Sequence, residues 1–356
     1  MKKRHVDGGW RHFMRTLGVL MLRVLARTVM GVALLLPGPA LAEEPTGSQR
    51  CWAPDVLAGK QEEVRPKRAQ TSIDLEALKQ QTIPAATPVP SELRGSIRSV
   101  ELPEGMKLIA LTFDLCEAEG EIAGYEGRIV DVLRTENVEA TFFAGGKWMM
   151  THPERAEQLL ADPLFEIGGH GWRHLDPLRI NQQQFGEELS LTEAAYGRTR
   201  RELVIGPSCP NGFTLPPERM KLFRFPYGRC NVQSLTQAAD AGFLSIQWDI
   251  VTGDPDPNRS ARAIAATILE KAHPGAIVVA HANGRGKHTA EALAIVIPKL
   301  RAEGYSFVTV SELIASGKPV IAEACYLNRK GDKAQLARSS RRGNSHDFWS
   351  VFQRRN

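Results

Sequence analysis

Seven apolar, β-branched or aromatic runs follow one another along the chain: Lys107–Phe113, Val138–Phe143, Phe165–Gly168, Lys221–Phe225, Phe243–Trp248, Ala276–Ala280 and Tyr305–Val310. Between most of them lie segments with helical periodicity. In Ser260–Ala272 the residues Ala261, Ile264, Ala265, Ile268 and Leu269 share one face, Ser260 is a natural N-cap, and Pro274-Gly275 ends the segment. After Thr289, Leu293, Val296, Ile297 and Leu300 repeat the pattern, Gly304 stops it, and Pro298 predicts a kink or a shortened helix. Strand and helix alternating in this way argue for a parallel sheet. The runs are continuously apolar, as strands covered on both faces are. A closed or nearly closed barrel is favoured over an open doubly wound sheet, although periodicity alone leaves both open. No G-x-G-x-x-G follows the first run and there is no P-loop, which removes the usual nucleotide-binding classes.

The flanks differ from this body. Residues 1–42 carry seven Lys/Arg against Asp7, and residues 329–356 carry eight against Asp332 and Asp347. Each flank is therefore +6, and the total of +5 leaves −7 for the middle. A mildly acidic body gives no case for a nucleic-acid partner. Residues 1–42 read as a signal peptide: a basic start, the apolar Thr28–Leu36, and Ala40-Leu41-Ala42 as the cleavage site. The expected product is exported to the periplasm or beyond, with no stable transmembrane anchor after cleavage. Residues 43–100, rich in Pro, Gln, Glu and Ala, read as a linker or wrapping extension, 101–328 as the barrel, and 329–356 as a basic, disordered tail. All five cysteines lie beyond the expected cleavage site, where disulfides are permitted. The expected pairs are Cys209–Cys230 and Cys51–Cys325, with Cys116 left free.

Polar residues fall at the ends of the runs. Asp114 ends the first, His170 the third and His281 the sixth; Arg224 sits in the fourth and Asp254 follows the fifth. In a parallel barrel the C-terminal strand ends converge on one mouth, so these side chains can meet there. His170 and His174 are spaced i, i+4 after Gly168-Gly169, and on a helical turn that spacing presents two imidazoles to one divalent ion. Trp148, Trp172 and Tyr227 are candidate stacking faces for sugar rings, with core packing as the alternative.

Thr112-Phe113-Asp114, His170-x-x-x-His174, Arg224-Phe225-Pro226-Tyr227, Trp248 to Asp254, and Ala280-His281 together resemble the five ordered motifs of the polysaccharide deacetylase family, the NodB-homology or carbohydrate esterase family 4 domain. The resemblance runs from about Lys107 to Ser316. It implies a distorted parallel (β/α)7 barrel and a hydrolase that removes acetyl groups from an acetylated glycan such as chitin oligomers, peptidoglycan or xylan. It also implies roles. Asp114 is the general base, His170 and His174 hold a divalent metal, and the backbone N–H of Tyr227 stabilises the oxyanion. His281 is the general acid, Asp254 orients it, and Arg224 keeps Asp114 ionised. Zinc is the first choice of metal, with cobalt and nickel as alternatives.

One departure stands out. The family has two adjacent aspartates in its first motif, the second a metal ligand, whereas this chain reads Asp114-Leu115-Cys116-Glu117. Glu117 is the first candidate for the missing ligand, because it replaces carboxylate with carboxylate. Glu121, a Cys116 thiolate, or a site without metal remain open. The last would make the chain a catalytically silent polysaccharide-binding relative. Gly171, where the family commonly has Ser or Thr, is a lesser change.

Overall fold

The computed structural model describes residues 50–203, 209 and 213–326. The expected signal peptide and basic tail lie outside the described residues. Twelve strands are present among those described: β1 Lys67–Arg68, β2 Ser96–Glu101, β3 Leu108–Leu115, β4 Glu121–Ile122, β5 Ala140–Ala144, β6 Phe165–Gly169, β7 Leu222–Phe223, β8 Leu244–Ile246, β9 Ile250–Val251, β10 Ile277–His281, β11 Ser306–Phe307 and β12 Lys318–Ala322. Each of the seven predicted runs contains one of them. The main sheet has the order β12-β2-β8-β7-β6-β5-β3-β10-β9, and β11 pairs with β3 beside it. All pairs in it are parallel except β12 with β2. The result is a curled, largely parallel β/α half-barrel, the kind of sheet that the resemblance implies.

Strand alternation separates two cores. On β3, Ile109, Leu111, Phe113 and Leu115 point outward into the layer between sheet and helices. Ala110 points inward, where it meets Phe143, Leu222, Ile246, Trp248, Ile277 and Val279. The helices covering the outside are α3 Gly127–Thr135, α4 Gly146–Thr151, α5 Pro153–Leu160, α6 Gln182–Glu202, α7 Val232–Asp240, α8 Ala261–Lys271 and α9 Thr289–Ala302. Ser260 caps α8 as read from sequence, accepting from Ala263 N–H at 3.2 Å, a cap worth about 1 kcal/mol. Pro298 neither stops nor shortens α9, which runs on to Ala302. At the N-terminal end of the barrel, α10 (Val310–Ala315) acts as a plug. Its Val310 N–H donates to Thr141 Oγ1 at 2.9 Å, and its Ser311 hydroxyl and N–H donate to the Glu166 carboxylate.

The predicted boundary at residue 100 falls inside a strand. β2 pairs with β8, and Val100 N–H donates to Gly275 O at 2.9 Å, so β2 spans the gap between β8 and the base of β10. A Cβ on Gly275, which has φ +85°, would lie 1.7 Å from Val100 O, so only glycine allows this closure. Residues 50–95 are a wrapping arm and carry two short helices, α1 (Pro54–Leu57) and α2 (Leu75–Lys79). Arg155 of α5 grips the arm through both Glu63 oxygens at 2.9 Å and through the carbonyls of Val56, Leu57 and Ala58. Beyond Glu63 the arm reaches the barrel mouth, where β1 pairs with β4.

The disulfides are Cys51–Cys209 and Cys230–Cys325, so both expected pairs exchange partners, while Cys116 stays free as expected. The topology supplies the reason. β12 pairs antiparallel with β2 beside β8, which brings Cys325 next to the loop after β7, where its N–H donates to Cys230 Sγ. The arm starts on the opposite flank, with Arg50 paired to Asp162 at 2.8 Å. Among the described residues no helix is long and apolar enough to cross a membrane.

Candidate active site

β3 and β10 are adjacent and parallel, and their register sets His281 directly against Asp114. Both side chains belong to the inward-facing set, so an imidazole and a carboxylate stand together at the C-terminal strand ends. Arg224, just past β7 and fully buried, donates to Asp114 Oδ1 at 2.9 Å and to Thr112 Oγ1 at 2.8 Å. Its other nitrogens reach the carbonyls of Ile246 and Gln247, and its guanidinium lies 3.9 Å over the Phe143 ring. Asp114 Oδ2 is 3.6 Å from His170 Nε2. Burial alone would raise the Asp114 pKa, but His170, Arg224 and His281 together hold it below the ordinary carboxylate value.

Asp254 follows β9 and faces His281. It accepts from His281 Nδ1 at 3.0 Å, from His281 N–H at 2.8 Å and from the Thr289 hydroxyl at 2.9 Å, with the Thr252 hydroxyl also at 2.9 Å. Gly286 is required beside it, since a Cβ there would meet His281 O at 2.0 Å and Asp254 Oδ2 at 2.8 Å. Burial disfavours the imidazolium, yet the Asp254 carboxylate outweighs it and the His281 pKa is raised. With Nδ1–H committed to Asp254, Nε2 is the position for an exchangeable proton.

His170 and His174 meet, but not on a helix. Residues 170–174 form an irregular loop after β6, turned by left-handed Gly171 (φ +77°) and His174 (φ +58°). The two rings lie 5.0 Å apart. His170 Nδ1 lies 2.8 Å from Arg224 O, so this nitrogen carries the proton and Nε2 presents a lone pair. Burial lowers both histidine pKa values, more strongly at His174. Neutral imidazoles are the form that binds a metal. The ligand atoms of His170, His174 and Cys116 all lie within 4.8 Å of one another. Tyr227 adopts φ +61° and sets its ring 4.3 Å from that of His174.

Glu117, the first-choice third ligand, is turned away from this cluster. It is buried, ion-paired to Lys147 Nζ at 2.9 Å, and accepts from Ala123 N–H and the Thr151 hydroxyl at 2.8 Å each. Lys147 also donates to the carbonyls of Ala118 and Glu121. The pair therefore anchors the loop after β3 from beneath. Glu121 is engaged with Arg285 at 3.0 Å on the rim. Trp148 and Trp172 are buried in the outer core and offer no face to a sugar, whereas Tyr227 borders the site.

The sequence gives Thr112 a place in the first motif but no role, and it does not single out Lys147, Asn283 or Arg285. Thr112 is legible in hindsight, two residues before Asp114 on the same strand face. Asn283 stands two residues past His281, and its Nδ2 donates to Cys116 O at 2.9 Å and to Cys116 Sγ at 3.0 Å. Burial pushes the Cys116 thiol up to about 12.

Comparison with known proteins finds similarity to one family. The family model described as polysaccharide deacetylase matches residues 102–246. A peptidoglycan-N-acetylglucosamine deacetylase of Bacillus cereus is 29% identical over 216 residues, covering 60% of this chain and 91% of that protein. The peptidoglycan-N-acetylglucosamine deacetylase PgdA of Listeria monocytogenes is 31% identical over 224 residues, 62% of this chain but only 42% of that longer protein. Among solved structures, that of the Bc1960 peptidoglycan N-acetylglucosamine deacetylase aligns with a TM-score of 0.51 at 25% identity, covering 62% of this chain and 93% of that one.

Proposed function

We propose that the chain, which over residues 102–246 is similar to the polysaccharide deacetylase family, hydrolyses amide carbon–nitrogen bonds and removes acetyl groups from an acetylated cell-envelope glycan with the help of a divalent metal. The relatives named above act on peptidoglycan N-acetylglucosamine, which makes an N-acetylated peptidoglycan-type polymer the first substrate to test. Export to an oxidising compartment fits the two disulfides. The observation that carries the reading is the register of β3 and β10, which opposes Asp114 and His281 beside a cluster of neutral imidazoles.

The donor set suits a borderline cation such as zinc, with cobalt or nickel as alternatives: two imidazoles, one already oriented through its Nδ1–H, in a buried cleft. His170 and His174 would hold such an ion, which when bound would supply Lewis-acid polarisation of the acetyl carbonyl and a lowered pKa for the attacking water. Asp114, kept ionised by Arg224, takes the proton from that water. The Tyr227 backbone N–H, presented by its left-handed turn, donates to the developing oxyanion. His281 then gives the proton on Nε2 to the departing amine, while Asp254 fixes its tautomer and stabilises its charge. Arg224 acts only through Asp114.

The alternative is a catalytically silent glycan-binding relative, and Leu115 favours it. The intact His281–Asp254 pair, with four donor atoms converging on one carboxylate, favours the enzyme, since binding alone needs no oriented acid. The test couples metal content to acetate release from peptidoglycan fragments and acetylated chitooligosaccharides. About one divalent ion per chain with acetate release supports the enzyme. Protein that takes up no metal and releases no acetate from either substrate overturns it.

A further inference from the structure

We infer that Cys116 supplies a thiolate as the third protein ligand of the metal, making a His2Cys site in place of the two-histidine, one-carboxylate set that the first two motifs together imply. The inference rests on the metal-dependent reading above and specifies its ligands. Five observations carry it.

Leu115, at the position of the absent aspartate, is fully buried in the outer core with Phe113 and Leu111, so its side chain faces away from the site. The residue after it returns to the face of Asp114, as strand alternation requires. Cys116 Sγ then shares a 4.8 Å cluster with the ligand atoms of His170 and His174. The other four cysteines are spent in disulfides, and Cys116 is the one free thiol, 6% exposed. Asn283, itself completely buried, donates Nδ2–H to the sulfur at 3.0 Å, the kind of outer contact that orients and stabilises an anionic ligand. Finally, Glu117, the next carboxylate along the chain, is unavailable, because it is paired to Lys147 beneath the loop.

Charge and size agree with this assignment. A thiolate carries the same single negative charge as the carboxylate it replaces, so the balance against Arg224 and the ion is preserved. Tetrahedral zinc, with Zn–S of about 2.3 Å and Zn–N of about 2.0–2.1 Å, sets its donor atoms roughly 3.5 Å apart. Ligation therefore draws the three side chains together by about an ångström, within reach of small side-chain rotations. A sulfur ligand also makes the site more thiophilic, favouring zinc and cobalt over magnesium and manganese.

The test is titration of metal-free protein with Co(II), read by absorption and by bound cobalt per chain. The expected result is a thiolate-to-cobalt charge-transfer band in the near ultraviolet that saturates at one ion per chain. Cys116→Asp should lose that band while keeping bound cobalt and its visible ligand-field bands, and His170→Ala should lose both. Cys116→Ser, nearly isosteric, replaces the aspartate variant if that one fails to fold, and should also lose the band. One cobalt per chain without the band, or a band that survives in Cys116→Ser, overturns the thiolate while leaving the metal-dependent reading standing. No cobalt bound by the unaltered protein overturns both.

Discussion

The two ends of the barrel each bury a carboxylate, and they treat it in opposite ways. At the N-terminal end Glu166 is surrounded by neutral donors: the Thr141 hydroxyl at 3.0 Å, and the hydroxyl and N–H of Ser311 from the plug helix. Burial dominates there and its pKa is raised. At the C-terminal end Asp114 meets a buried guanidinium and two imidazoles, and its pKa is lowered although burial pushes it up. The same residue class becomes a structural hydrogen-bond acceptor in one place and a carboxylate held ionised in the other. What separates them is a cation partner. The bottom closes the barrel, and the top holds a charge ready for proton transfer.

The largest expected effect lies at the top. Asp114→Asn removes the base while preserving shape, and acetate release should fall by roughly 10²–10⁴-fold, the usual contribution of a positioned acid or base. His281→Ala should lose activity on the same scale. Next, Arg224→Met strands the Asp114 charge in a dry site. Urea denaturation should show a loss of about 3–5 kcal/mol, because one partner of a buried ion pair has been removed. A loss under 1 kcal/mol would mean that Asp114 does not depend on that cation.

A third change is read in pH rather than rate. His281 must be protonated to act as the acid, and its raised pKa extends that form upward in pH. Asp254→Asn removes the carboxylate that sustains the shift, so the alkaline limb of the pH–rate profile should move to lower pH. A limb that stays in place would detach His281 from the acid role. The smallest effect belongs to the bottom. The Glu166 pKa is above its ordinary value of 4.5 in the folded protein. Its ionisation therefore costs the folded state stability as pH rises through that window. Glu166→Gln should be within about 1 kcal/mol of the original near pH 4 and gain relative stability above it, with activity unchanged.

How much of this was legible depended on how local the signal was. The seven runs, the Ser260 cap and the polar strand ends are statements about neighbours in sequence, and they located the barrel and the mouth. β2 was assigned to the extension because Ser96-Ile97-Arg98-Ser99-Val100-Glu101 mixes polar and apolar residues without a clear period. It becomes a strand through pairing with β8 and β12, which are distant in the chain. The histidines were rightly paired for a wrong local reason, since a glycine-turned loop rather than a helix joins them. Glu117 was misdirected because its partner, Lys147, sits on a helix thirty residues later. Disulfide partners were exchanged for the same reason: connectivity follows the sheet order, which spacing does not encode.

In this reading Asp114 is the base, and Glu166 only closes the far end of the barrel. Acetate release from peptidoglycan fragments by zinc-loaded protein, measured side by side for the original chain, Asp114→Asn and Glu166→Gln, tests this most directly. The original and Glu166→Gln should release acetate at matching rates while Asp114→Asn falls by at least about a hundredfold. Equal rates in all three, or no release from the original chain, would contradict it.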